Sequence, residues 1–190
     1  MIIDFHFITF LITYVVLSFV LAFFYYRKKE RKVTLVTILI LLLYIMCLLK
    51  LTLLPIRIYD KSVLGQHSKI YFQLKPFETM KKTYQISTWK MQLVGNILLL
   101  FPIPFFYKYM KKMGEWKGGK AFLTGFMVSL IIECMQVLEN VLTGYPARIF
   151  DIDDIMLNVF GVVIGILICK LLDRCKKTDT MIYAMTRKKE

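Results

Sequence analysis

"FHFITFLITYVVLSFVLAFFYY", residues 5–26, decides the fold. It carries no Asp, Glu, Lys or Arg, and it is long enough to cross a hydrocarbon core about 30 Å thick, which takes roughly 20 helical residues. Four further windows read the same way: residues 33–54, 91–107, 121–138 and 155–172. The last three are shorter and hold polar residues. With 57% hydrophobic and 15% aromatic residues the chain is far from an ordinary soluble domain. A closed barrel would need alternating segments of roughly ten residues, and these runs are continuous, so helices are the reading that satisfies every backbone group in lipid. The expected class is all-α, a polytopic bundle of five transmembrane helices forming one membrane domain over residues 1–176, with a basic tail at 177–190. The first span is expected to persist in the mature protein. No basic residue precedes it, it exceeds a signal h-region in length, and no small-residue cleavage pattern follows.

Basic loops stay on the cytoplasmic side. Clusters at Arg27–Lys32, Lys108–Lys120 and Lys170–Lys189 fall on one side of the five spans. Most of the remaining basic residues lie in the long segment between spans two and three, where charge counts for less. The amino terminus is therefore expected outside and the carboxyl terminus in the cytoplasm of a multi-pass plasma-membrane protein. The net charge of +13 is accounted for by topology and anionic headgroups, and no basic reading element suggests nucleic acid. Cys47, Cys134, Cys169 and Cys175 read as small apolar fillers. His6 and His67 are too distant in sequence to suggest a zinc site, and no cofactor is expected.

Between spans two and three, residues 76–90 place Phe77, Met80, Tyr84 and Trp89 at nearly helical spacing after Pro76. An amphipathic surface helix, a re-entrant piece and a solvated loop all fit this pattern. In span three, Pro102 and Pro104 remove helical donors, so a kink is expected. In span five, Gly161 and Gly165 make a small-xxx-small face for close helix approach, a candidate homo-oligomer surface.

The polar residues inside the spans gather by depth. Glu133 precedes the expected end of span four by about 7 to 8 Å at 1.5 Å per residue. Gln136 shares its face at i, i+3. Asn96 and Asn158 sit at a similar depth on spans three and five. The following loop adds Arg148, Asp151, Asp153 and Asp154, with Gly144 and Pro146 marking a tight turn. Asp153 or Asp154 would cap span five. An ionised carboxylate in hydrocarbon is costly, so Glu133 must be protonated, wetted or paired, and Arg148 is the available cation. One outcome is a Glu133–Arg148 clamp with Asn96, Gln136 and Asn158 as interhelical glue. The other is a polar pocket of Asn96, Glu133, Gln136, Arg148, Asp151, Asp154 and Asn158, open to the outer leaflet.

These residues resemble the VanZ-like family of bacterial membrane proteins over roughly residues 40 to 170. The resemblance rests on Gly95, Asn96, Phe101 and Pro102; on Glu133 and Gln136; and on Arg148, Asp151 and Asp154 followed by Asn158, Gly161 and Gly165. The "LTLLP" of Leu51 to Pro55 and the pair Pro76 and Phe77 also match, while Pro104 and Gln73 depart from the family's usual Gly and Asn. The resemblance implies low-level resistance to teicoplanin and related lipoglycopeptide antibiotics in Gram-positive bacteria. The leading reading is a non-enzymatic or cryptically enzymatic membrane protein that engages an amphiphile such as the antibiotic or a lipid-linked wall precursor, with Arg148 contacting an anionic group. A second is an intramembrane enzyme acting on a lipid phosphate or ester, with Glu133, Asp151 and Asp154 as catalytic candidates and weak metal candidates. A third is a small transporter or channel subunit.

Overall fold

The computed structural model describes residues 2–4, 6–27, 32–58, 72–84, 89–110, 116–145 and 147–174. The tail at 177–190, Cys175, His67, Pro146, residues 85–88 of the segment between spans two and three, and the basic residues within 28–31, 59–71 and 111–115 lie outside them.

Five helices are long and apolar enough to cross a membrane. Helix α1 (Phe7–Arg27) follows a two-residue strand, β1 (Ile2–Ile3), and leads to α2 (Lys32–Leu53). Strand β2 (Ile56–Arg57) pairs antiparallel with β1 and draws the two helix ends together. Strand β3 (Phe72–Gln73) and the short helix α3 (Glu78–Thr83) precede the third span. That span is broken, as its two prolines require, into α4 (Trp89–Leu100) and α5 (Ile103–Met110). The chain re-forms hydrogen bonds across the break through Phe105 N–H and Phe106 N–H to the Pro102 carbonyl, at 3.1 and 3.3 Å. Helix α6 (Gly118–Thr143) ends at Gly144, whose φ of 68° is the left-handed cap conformation glycine adopts freely. Strand β4 (Phe150–Asp151) pairs parallel with β3 and runs directly into α7 (Ile152–Arg174). The strand pairs are additions to the all-α expectation.

The core lies where α4, α5, α6 and α7 meet, around Leu100, Ile103, Ala121, Ile132, Val162 and Ile166. Lipid tails are as apolar as Leu, so close backbone approach must supply what the hydrophobic effect does not. The glycines of α7 provide it. A Cβ on Gly161 would collide with the Ile97 carbonyl, and one on Gly165 would stand 2.6 Å from the Phe101 carbonyl oxygen. Both pairs step four residues along both chains, so α4 and α7 run side by side in the same direction. Gly125 of α6 likewise lies against Val162. The Gly161/Gly165 face is therefore occupied by α4 and α5 of the same chain.

Helix α1 packs on α2 and contributes no buried residue within its apolar window. At the end of the bundle where α6 begins, Lys108 pairs with Asp173, whose other oxygen accepts from Trp116 Nε1 at 2.8 Å. Lys108 also donates to the Cys169 carbonyl at 3.3 Å, near the carboxyl end of α7 where a cation is favoured.

Candidate functional site

The polar side chains gather at the opposite end, where α2 and α6 finish and α4 and α7 start. Helix α6 continues to Thr143, five residues beyond the expected end. Glu133 is thus roughly 15 Å along the helix from its terminus at 1.5 Å per residue, deeper than the sequence suggested. It is 1% exposed, and its Oε2 accepts the Asp151 N–H at 3.0 Å. Asp151 in turn accepts the Asp153 N–H at 2.9 Å through Oδ1, standing as the N-cap of α7. The cap is therefore Asp151, not Asp153 or Asp154.

Asp153, fully buried, serves another element. Its carboxylate takes the backbone N–H groups of Phe77, Thr79 and Met80 at 2.6, 2.9 and 3.1 Å. It thereby fixes Phe77 at a positive φ of 66° and starts α3 at Glu78, two residues after the proline expected to open it. The 76–90 segment thus holds a six-residue helix strapped to α7. Within α3, the hydrogen bond from Lys82 holds the exposed Glu78 carboxyl below the usual carboxylate range.

Arg148 does not clamp Glu133. Its Nε stands 3.2 Å from Glu139 Oε2, and Nη2 donates to the Leu54 carbonyl at 3.3 Å. Asn140 grips the Arg148 backbone on both sides, donating to its carbonyl at 2.7 Å and accepting its N–H at 3.2 Å. Glu139 and Asn140 extend the stripe begun by Glu133 and Gln136, at i+6 and i+7, and were not singled out from the sequence. Glu139 is the nearer end of that stripe to the loop that carries Arg148, which is why it takes the cation.

A cleft of about 280 Å³ opens beside this clamp. Asn96, Glu133, Gln136, Arg148, Asp154 and Asn158 line it with Thr52 and Gln92, and Leu51, Met91, Leu99 and Ile132 supply apolar lining. Three of the lining amides donate a side-chain N–H to the protein: Asn96 to Asp154 Oδ1 at 2.5 Å, Gln136 to the Thr52 carbonyl at 2.9 Å, Asn158 to Ser129 Oγ at 3.1 Å. Six of the seven expected site residues thus share one cavity. Asp151 is buried behind it and does not line it. Among the described residues no three His, Cys, Asp or Glu side chains converge as a group that could hold a metal ion.

The sequence pattern of VanZ/LLP1 matches residues 41–173, the stretch that holds Gly95, Asn96, Glu133, Gln136 and Arg148 through Gly165. The chain belongs to the VanZ/LLP1 family. The family match begins within α2 and takes in every helix that lines the cleft, leaving out α1. No curated protein and no solved structure is similar enough to match the chain.

Proposed function

We propose that this VanZ/LLP1 protein sits in a bacterial plasma membrane with the cleft toward the outer leaflet, and that the cleft holds the headgroup of an amphiphile. The observation that carries the reading is the cleft itself: about 280 Å³ of space at the end of a membrane bundle, lined by polar and apolar side chains together. A headgroup fits the polar lining while its chain stays against Leu51, Met91 and Leu99. The basic clusters on the opposite side of the five spans support the orientation. The family resemblance gives the reading its physiological sense, low-level resistance to teicoplanin-type lipoglycopeptides in a Gram-positive host. In this reading Arg148, whose charge is answered by Glu139, shapes the rim of the cleft.

Gly95 provides the test. It lines the cleft, and a Cβ built on it meets nothing within 4 Å. Gly95→Leu should fill the cleft without breaking a protein hydrogen bond, and a helical Leu for Gly raises helix propensity by up to about 1 kcal/mol. The variant is expected to reach the membrane in normal amount and to lose both lipid retention and protection against teicoplanin. A Gly95→Leu protein that protects as well as wild type would remove the cleft from the function.

A further inference from the structure

The donors and acceptors of the cleft are unevenly divided, and this inference rests on the headgroup-binding reading above. Asn96, Gln136 and Asn158 line the cleft and each directs a side-chain N–H into the protein, as described, which commits a donor of each amide to the protein. The Asn158 Oδ1 is buried with no hydrogen-bond partner among the described residues, in a side chain 2% exposed. Glu133 and Asp154 each engage one oxygen, with the Asp151 N–H and the Asn96 amide. Neither is in an ion pair among the described residues, where Arg148 is matched to Glu139. Gln92 and Arg148 also line the cleft, but Arg148 is matched to Glu139, so the two carboxylates leave the lining formally anionic, while Asn96, Gln136 and Asn158 have already given N–H groups to the protein. Buried acceptors and carboxylates without partners are costly, and a ligand that supplies hydrogen-bond donors with a positive charge offsets both terms at once. An anion would add to both.

We propose that the headgroup held in the cleft carries a primary ammonium, whose N–H donors are met by Glu133, Asp154 and the Asn158 amide oxygen. An –NH₃⁺ group offers three donors and no acceptor, complementary to this lining. A quaternary ammonium has the charge without donors, and a polyol has donors without the charge.

The full-length protein in phosphatidylcholine nanodiscs, doped equally with phosphatidylethanolamine and phosphatidylglycerol, tests this by native mass spectrometry. Wild type is expected to retain phosphatidylethanolamine over phosphatidylglycerol by at least about tenfold, the scale of one charge-assisted hydrogen bond. Glu133→Gln and Asp154→Asn should each move that ratio toward parity, with helicity by circular dichroism checking that the variants fold. Dodecylamine and dodecanol, added separately to discs of phosphatidylcholine alone, ask whether the source must be a phospholipid. Retention of dodecylamine but not dodecanol supports the ammonium, and if phosphatidylethanolamine is not retained alongside it, the source is another amine-bearing amphiphile. Equal or preferred retention of phosphatidylglycerol or dodecanol, abolished by Gly95→Leu, would overturn the ammonium and leave the headgroup reading standing. Retention of none of these above the Gly95→Leu background would defeat both.

Discussion

Replacing Asp153 by alanine removes the carboxylate that receives three backbone N–H groups from the cap and first turn of α3. Each hydrogen bond to a charged acceptor contributes about 1.5–3 kcal/mol. The three do not simply add, because Phe77 is exposed and Thr79 and Met80 are half-buried, so water reaches the released donors. A cost of about 3–5 kcal/mol, that of removing one partner from a buried charged contact, is the reasonable scale. At 3 kcal/mol the ratio of docked to undocked strap falls about 150-fold. Asp153→Asn keeps one acceptor oxygen and should lose less, on the order of 1–2 kcal/mol. Trp89 reports the event, since its ring stacks 5.0 Å from Tyr84 at the end of α3. Trp116→Phe leaves Trp89 as the only tryptophan, and acrylamide quenching of its emission is the assay. Quenching is expected to rise in the order wild type, Asp153→Asn, Asp153→Ala. Identical quenching in all three, with the protein folded, would refute the claim that this carboxylate holds the strap.

Other outcomes follow from the same contacts. Gly161→Ala forces a methyl into the Ile97 carbonyl and should destabilise by about 1–3 kcal/mol in thermal unfolding, whereas Gly119→Ala, with open space around it, should not destabilise. Arg148→Ala leaves Glu139 buried beside no cation, so it should unfold more readily than the double replacement Arg148→Met with Glu139→Leu; a double variant no more stable than the single would break this account. The Glu78 carboxyl is lowered in the folded state by Lys82, so its contribution is present above its ordinary 4.5 and is lost as pH falls from there through the folded value. Trp89 quenching should rise over that acidic range in wild type and show less of that rise in Glu78→Gln.

The five spans were legible because hydrophobic length is a one-dimensional property, and the break at Pro102 and Pro104 because proline cannot donate. Their ends were less so. Residues 139–143 and Trp89 look interfacial in the sequence, yet they continue the helices, and this placed Glu133 too near the surface. The gathering of Asn96, Glu133, Gln136, Asp154 and Asn158 could be read from depth alone. Which acid takes Arg148 could not, because Glu133 and Glu139 lie on one stripe and only the path of the returning loop selects between them. Asp153 was misread for a related reason. A cap on its own helix is a local pattern, whereas its partners lie more than seventy residues away in sequence, beyond any spacing rule. The Gly161/Gly165 motif announced close approach, but a motif on one helix does not name its neighbour.

Helix α1 meets α2 and otherwise presents its side chains outward. Its composition answers to the thickness and fluidity of the surrounding bilayer more than to any interlocking neighbour. Exchanges among Leu, Ile, Val and Phe along it should pass almost unnoticed by the cleft, which makes it the natural place to attach a fluorophore or a fusion partner.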